Sequence, residues 1–319
     1  MGFIELLQSI IPPALFFSAP LIFTALGGVF SERSGVVNIG LEGLMVMGAF
    51  VGVVFNLTFA DVFGIWTPWI SIIVAMVIGA LFSVIHAVAA VSFRADQVVS
   101  GVAINFLALG LGLFLTKQWY DKGQTDMVTQ PFYTRDIPFL SEIPIIGNIF
   151  FSNMYLTSYL AIILAFISWY VLYKTPFGLR LRAVGEHPMA ADTNGVNVYK
   201  MRYIAIILSG ALGGLGGSVF ALTIALNFSQ ATIVGQGFMA LAAVIFGKWH
   251  PLGAMGAALF FGFAQSLSVI GGGIPLLADV PQVFLLIAPY VLTILALAGF
   301  IGRAEAPRAN GQPYIKGSR

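Results

Sequence analysis

The sequence predicts an all-α membrane protein, a polytopic bundle of 8–10 transmembrane helices with an inverted repeat, on three observations. First, the 319 residues are 59% hydrophobic and 9% charged, with a mean hydropathy of +0.94, whereas soluble domains carry about a quarter charged residues. Second, nine apolar runs approach the roughly 20 residues that a membrane-spanning helix needs. Third, "NIGLEGLMVMGA" (38–49) slid by 194 positions over "TIVGQGFMALAA" (232–243) matches Ile39 with Ile233, Gly43 with Gly237, Met45 with Met239 and Ala49 with Ala243, and sets Glu42 over Gln236. Two greasy helices can share this much by composition alone. The span order nevertheless sends the two stretches in opposite directions, as an inverted-topology repeat requires.

The runs are 10–30, 41–59, 69–93, 98–117, 157–173, 203–225, 231–247, 251–270 and 281–301. The first has no Lys or Arg before it and is too long for a secretory h-region, so it reads as a retained span. Its Pro12, Pro13 and Pro20 are kinks whose freed carbonyls neighbouring helices must satisfy. The shorter runs are candidates for broken or re-entrant helices. In "SGALGGLGG" (209–217), Gly210 and Gly214, and Gly213 and Gly217, stand four apart, a spacing that lets helix backbones approach closely in lipid.

Residues 1–302 form one transmembrane domain on this reading, with a flexible polar tail at 303–319 that has little to bury. Two loops interrupt the domain: 118–156, with Pro131, Pro138, Pro144 and scattered acids, and the basic 174–202. Lys and Arg concentrate on the cytoplasmic side of membrane proteins. Placing 174–202 inside puts twelve bases inside and leaves Lys117, Lys122 and Arg135 outside. The N-terminus is then outside and the C-terminus cytoplasmic.

Several chemistries are excluded. The chain has no cysteine, hence no disulfide, thiolate metal site or cysteine nucleophile. It has no P-loop, and Gly247-Lys248-Trp249 does not make one. His86, His187 and His250 lie in different segments without metal-ligand spacing. No Ser-His-carboxylate set stands out, so the chain does not read as an enzyme.

Attention therefore falls on polar residues inside apolar runs, which are costly and usually face a bundle interior or water. In "SERSGVVNIGLEGLMVMGAF" (31–50), Asn38 is a candidate N-cap and Glu42 stands four residues on, near the positive end of the helix. One reading makes Glu42 a snorkelling carboxylate at a capped helix start. The other makes it part of a solute path with Asn38, Asn105, Gln236 and Gln265. The loop 174–202 contains "LRLRAVGE", then Pro188 as a new helix start and Asn194-Gly195 as a stop. This describes a short amphipathic helix on the inner face, held by lipid phosphates or by a soluble partner.

"SERSGVVNIGLEGLMVMGAF", "TPFGLRLRAVGEHPMAADTNGVNV", "SGALGGLGG" and "GFMALAAVIFGKWHPLGAMGAALFFG", in this order, resemble the inner-membrane permease subunits of bacterial ABC importers. The branch is the one containing ribose-type sugar and branched-chain amino acid permeases, and the closest likeness is to nucleoside permeases that work with a basic-membrane-protein type lipoprotein. The resemblance covers about residues 15–300 and rests for its solute on "SERSGVVNIGLEG". It implies uptake of guanosine or other purine nucleosides, with sugars or other small polar solutes as the alternative. It also implies three partners: a second homologous permease, an ABC ATP-binding protein and an extracellular solute-binding lipoprotein. Membrane lipids surround the chain, and no nucleic acid is involved. ATP and Mg belong to the ATP-binding protein, and this chain binds no cofactor. The cytoplasmic loop would supply the coupling helix, which maps onto Gly178, Arg182, Ala183, Gly185, Glu186, Pro188, Ala190, Ala191 and Gly195. Small residues would let that helix lie in a groove of the ATP-binding protein, while Arg182 and Glu186 pair with each other or with the partner. The loop departs from the sugar-importer pattern that begins Glu-Ala-Ala. Two rival readings are an ion-coupled secondary transporter using Glu42 and a non-transporting membrane scaffold.

Overall fold

The long apolar runs fold as helices that begin at identifiable caps and end at prolines, glycines or polar turns. The computed structural model describes residues 3–144, 146–273 and 305–317, together with 280, 281, 283, 284, 287 and 291. The ninth predicted span, 281–301, lies mostly outside these residues. Helix α1 (Phe3–Arg33) runs through its three prolines. The 52-residue apolar stretch Leu41–Ser92 folds back on itself at Gly64, whose φ of +50° suits a residue without a Cβ. It gives α2 (Leu41–Phe63) and α3 (Thr67–Ala87). Helix α4 (Gln97–Tyr120) is capped by Asp96, which accepts from the amides of Val98 and Val99 at 2.9 Å.

The 118–156 loop carries only the one-turn α5 (Ile146–Phe150). It leads to α6 (Leu156–Lys174), then to the paired short helices α7 (Pro176–Glu186) and α8 (Pro188–Thr193). Helix α9 (Val198–Phe220) is capped by Asn197. Helix α10 (Gln236–Phe246) has 11 residues, and α11 (Pro251–Ile270) closes the described bundle. At 1.5 Å per residue, α10 is about 16 Å long, half of a hydrocarbon core. The predicted span 231–247 is therefore a half-helix, because residues 231–235 are irregular.

The centre belongs to α9 and α1. Of their apolar stretches 78% and 61% are buried, against 22% for the peripheral α4. Helix α9 packs on α1, α2 and α3, while α1 packs on α9, α10 and α11, so each central helix holds its own hairpin in the same way. The helix starts Leu41 and Gln236 agree to within one residue with the 194-residue offset read from the sequence. Each is preceded by non-helical chain, 34–40 and 226–235. From a shared starting level, α2 runs to the 118–156 face, where Asn56 bonds the Gln130 carbonyl at 2.7 Å. Helix α10 runs the other way, to Trp249 beside Glu32 and Arg33. The architecture is thus that of an inverted repeat.

The glycine stripe of α9 makes this packing possible. A Cβ on Gly217 would stand 1.9 Å from the Met45 carbonyl oxygen, and one on Gly48 2.1 Å from that of Gly214. On the other side a Cβ on Gly214 would meet the Ala75 oxygen at 2.4 Å. Helix α9 is wedged between α2 and α3 with backbone touching backbone.

The tail read as flexible is instead seated at residues 305–317 against α1, α7 and α9, with Ala309 and Tyr314 only 4% and 5% exposed. Composition missed this because the binding uses main-chain groups: the Ala309 amide donates to the Gly185 carbonyl at 2.9 Å, and the Gln312 carbonyl accepts from Arg202 at 2.9 Å.

Overpacking a core costs about 1–3 kcal/mol or more. Gly217→Leu and Gly48→Leu are expected to abolish a monodisperse detergent-extracted species or lower its thermal midpoint by at least about 10 °C. Gly110→Leu, where a side chain meets nothing within 4 Å, should change the midpoint by less than about 2 °C.

Candidate functional site

Two helix starts meet inside the bundle, and each is capped by a side chain from another helix. Residues 34–40 re-enter from the 174–202 face without helical hydrogen bonds, which is tolerated at membrane depth only inside protein. Here the Val37 amide donates to Gln97 Oε1 at 2.7 Å, and His86 Nε2 lies 3.1 Å from the Val37 carbonyl. Asn38, expected as the N-cap of α2, does not cap it. Gly40 takes that position, and Asn38 donates from Nδ2 to Ser209 Oγ on α9 at 2.9 Å. The cap comes from Asn105 of α4, whose Oδ1 accepts from the Gly43 amide at 2.7 Å while Nδ2 donates to the Ile39 carbonyl at 3.1 Å. Asn105 is eight residues into α4, so α2 begins about 12 Å inside the helical layer.

Glu42 does the equivalent for α10. Its Oε1 accepts from the Gly235 amide and its Oε2 from the Gly237 amide, both at 2.6 Å. A carboxylate at a helix N-terminus satisfies orphan amides and meets the positive end of the helix dipole. Two glycines permit the contact: Gly235 has φ +78°, and a Cβ on Gly237 would lie 2.4 Å from the Glu42 Cα. The snorkelling alternative is therefore replaced by a carboxylate committed to a second helix.

Beside these caps lies a groove of about 640 Å³, within the 300–1,000 Å³ range of small-molecule sites. Glu42, Asn105 and Gln230 supply its polar groups, and Val46, Val102, Phe106, Leu109, Ile233 and Phe238 its apolar wall. Gln230 was missed because 231–247 read as one span, leaving it outside. Of the other expected path residues, Gln236 is adjacent in sequence but buried, with Oε1 unpartnered, and it does not line the groove. Gln265 is on α11, also with an unpartnered Oε1, and Asn38 is held on α9; neither reaches the groove. The groove's outer rim is uncovered, with Phe106 72%, Val234 68% and Phe238 48% exposed.

At the 174–202 face, α7 and α8 form a plate fixed to the bundle from below. Cβ atoms on Gly178 and Gly185 would each lie 2.2 Å from a carbonyl oxygen, of Val171 and Arg33 respectively. These two glycines therefore pack inward, as does Ala191. Arg182 donates from Nε to the Leu172 carbonyl at 3.0 Å and lies 4.6 Å over the Tyr173 ring. Glu186 is 3.9 Å from Arg33. The Arg182–Glu186 pair expected from their spacing does not form, because each is drawn to a different helix end. Pro188 opens α8 and is half-buried, while Ala183, Ala190 and Gly195 face outward beside the exposed Leu179 and Met189. Leu179, Ala183 and Ala190, with Glu186 and Ala191, border an open groove of about 360 Å³.

The two regions are mechanically joined. Arg33 donates from Nε to the Trp249 carbonyl at 2.7 Å, and Trp249 Nε1 donates to Glu32 at 2.5 Å. One end of α10 is thus pinned beside the plate and the other rests on Glu42. Burial and the Arg33 charge hold the neighbouring His250 imidazole below its usual range, so at neutral pH it adds no charge to this joint.

Leaving a buried donor unpaired costs about 1–3 kcal/mol. Glu42→Ala strands two, so amides 236–240 are expected to exchange hydrogen at least about tenfold faster than in the unaltered chain. Asn105→Ala should instead loosen amides 41–45, read in the same exchange experiment.

The family model described as branched-chain amino acid transport system, permease component, matches residues 11–297. Among curated proteins, the chain is 66% identical to the guanosine ABC transporter permease protein NupQ of Bacillus subtilis, with all of both chains covered. It is 55% identical to the nucleoside ABC transporter permease protein NupC of Lactococcus lactis, over 99% of each. It is 26% identical to the guanosine ABC transporter permease protein NupP of Bacillus subtilis, over 91% of this chain and 83% of the relative. No solved structure matches. A multi-pass bundle with two opposed helix starts inside it, a plate of short helices on one face and full-length similarity to transport permeases leads to one assignment: the chain belongs to the family of branched-chain amino acid transport system permease components.

Proposed function

We propose that the chain is the permease subunit of an ATP-driven importer that carries nucleosides, guanosine foremost, into the cell. The observation that carries this reading is the 66% identity, over the full length of both chains, to a guanosine ABC permease. The groove fits it. A nucleoside is uncharged, with hydroxyls and a base edge for Asn105 and Gln230 and a flat ring for the Phe106 and Phe238 side.

The remaining assignments follow from the uncovered surfaces. A second, homologous permease covers the open rim of the groove; a relative such as NupP, also named a guanosine ABC permease, is the kind of chain that would do so. The 174–202 face is cytoplasmic, and its α7–α8 plate takes an ATP-binding subunit, which holds ATP and Mg. The 118–156 face is outside and receives a solute-binding lipoprotein, and the assembly sits in the plasma membrane. When the ATP-binding subunits close, the plate shifts with the ends of α1 and α6. Arg33 and Glu32 carry that shift to Trp249, and α10, as a short rigid rod, carries it to Glu42 and the groove. The solute path is then Glu42, Asn105 and Gln230, with Asn38, Gln236 and Gln265 as helix-positioning groups.

The ion-coupled alternative fits less well, because both oxygens of Glu42 already accept backbone amides and a coupling carboxylate must bind and release its ion.

Uptake of labelled guanosine by vesicles holding the full assembly is expected to require ATP inside the compartment that holds the ATP-binding subunit and to persist when ion gradients are collapsed. Asn105→Ala and Gln230→Ala should lower the uptake efficiency at least about tenfold, and Gln265→Ala less than about threefold. Uptake that stops with the ion gradients and ignores ATP depletion would overturn the reading.

A further inference from the structure

Two buried charges of the central helices are met by residues 305–317, which follow the described helices. Glu32 at the end of α1 is 3% exposed, and Arg202 in the first turns of α9 is 1% exposed. Neither bonds to the other. Asn310 donates from Nδ2 to Glu32 at 3.3 Å, and the Gln312 carbonyl accepts from Arg202 Nη1 at 2.9 Å. Among the described residues Arg202 Nε and Nη2 have no partner of their own, so this carbonyl is the hydrogen bond those residues give the guanidinium.

The same segment holds the plate. The Arg308 amide donates to Glu186 at 3.4 Å and the Ala309 amide to the Gly185 carbonyl at 2.9 Å. Tyr314 borders an open groove together with Pro188, Met189 and Ala190 of α8. Its ring meets that of Tyr199 on α9 at 5.4 Å in an edge-to-face contact, and its carbonyl accepts from the Tyr199 hydroxyl at 3.5 Å. Residues 308–314 therefore meet α7, then α1, then α9, and lie beside α8.

We infer that residues 305–317 are a coupling strap, which ties the α7–α8 plate to both central helices so that force on the plate moves α1 and α9 together. Beyond chain continuity at Thr175 and residues 194–197, the plate meets α6 and the end of α1 through Arg182 on the Leu172 carbonyl, Gly178 against the α6 backbone, and Gly185 and Glu186 beside Arg33. The strap adds a bridge from α7 to α9. Drawing the plate away from α9 must break the Arg308 and Ala309 bonds to α7 or the Tyr314 contacts with Tyr199, and it uncovers Arg202. Tyr314 and Asn310 are positioning residues in this account. They reach the groove only through α1 and α9 and touch no solute.

The functional part rests on the importer reading, so the test has an arm independent of it. In the full-length chain, Tyr314→Ala is expected to raise hydrogen exchange at amides 176–193 at least about tenfold, with amides in the middle of α9 unchanged. Exchange that is unchanged, or raised throughout the bundle, overturns the strap whatever the protein transports. In the complete assembly with guanosine, Tyr314→Ala should cut solute moved per ATP hydrolysed at least about fivefold. The ATP-binding subunit should stay bound, with basal ATPase activity within about twofold. Tyr314→Phe keeps the ring on Tyr199 and should recover most of the ratio. Parallel loss of ATPase activity and uptake, or release of the ATP-binding subunit, would mean a folding or docking role and would overturn the inference. If the unaltered assembly shows no ATP-driven uptake, the importer reading fails and the exchange arm still decides whether the strap holds the plate.

Discussion

Opposed helix starts buried in an apolar medium create a single dominant constraint: each exposes a first turn of unpaired amides where no water can satisfy them. The bundle meets it by crossing the caps. Asn105 on α4 serves α2, and Glu42 on α2 serves α10. The order of dependence follows from these bonds. Helix α4 must be in place for α2 to start where it does, and α2 must start there for Glu42 to receive α10. Because α10 also ends on Trp249 beside Glu32 and Arg33, the position of the 174–202 face relative to the groove is set by the same chain of contacts.

A charged cap suits α10 for a further reason. The second helix start needs only the neutral amide of Asn105, because one of its neighbours, the Ile39 carbonyl, is a built-in acceptor for the remaining N–H. The α10 start has two glycine amides converging on one point, and only a group with two equivalent acceptor oxygens meets both at 2.6 Å. A carboxylate supplies two equivalent acceptors, while an asparagine or glutamine would direct an N–H at an N–H. The expense of keeping a carboxylate in the membrane region is thereby set against amides that would otherwise be unpaired.

Much of this was legible from residue order, and what was not has a common cause. Apolar run length located α1, α2, α3, α4, α6, α9 and α11, and the Pro188 and Asn194-Gly195 signals bracketed α8, because these depend on neighbours in sequence. The register of the repeat was visible since Glu42 and Gln236, like Gly43 and Gly237, occupy matched helix starts. Long-range partners were not. Asn38 reads as a cap by local rule, yet Ser209, 171 residues away, claims it. Arg182 and Glu186 have the spacing of an ion pair, yet Leu172 and Arg33 claim them. Gln230 sits on irregular chain just outside a run that hydropathy reads as one span, and the seating of residues 305–317 uses main-chain groups that composition does not register.

Chain order gives the strap a consequence in biosynthesis. Asn310 lies 278 residues beyond the Glu32 it caps, a stretch that takes tens of seconds to make at about 5–20 residues per second. Through that interval α1 and later α9 are already inserted, with one acid and one base at their ends still hydrated and waiting. If residues 305–317 act as the strap, the plate lacks its bridge to α9 until they emerge, and a chain truncated before residue 305 would carry the groove without that bridge.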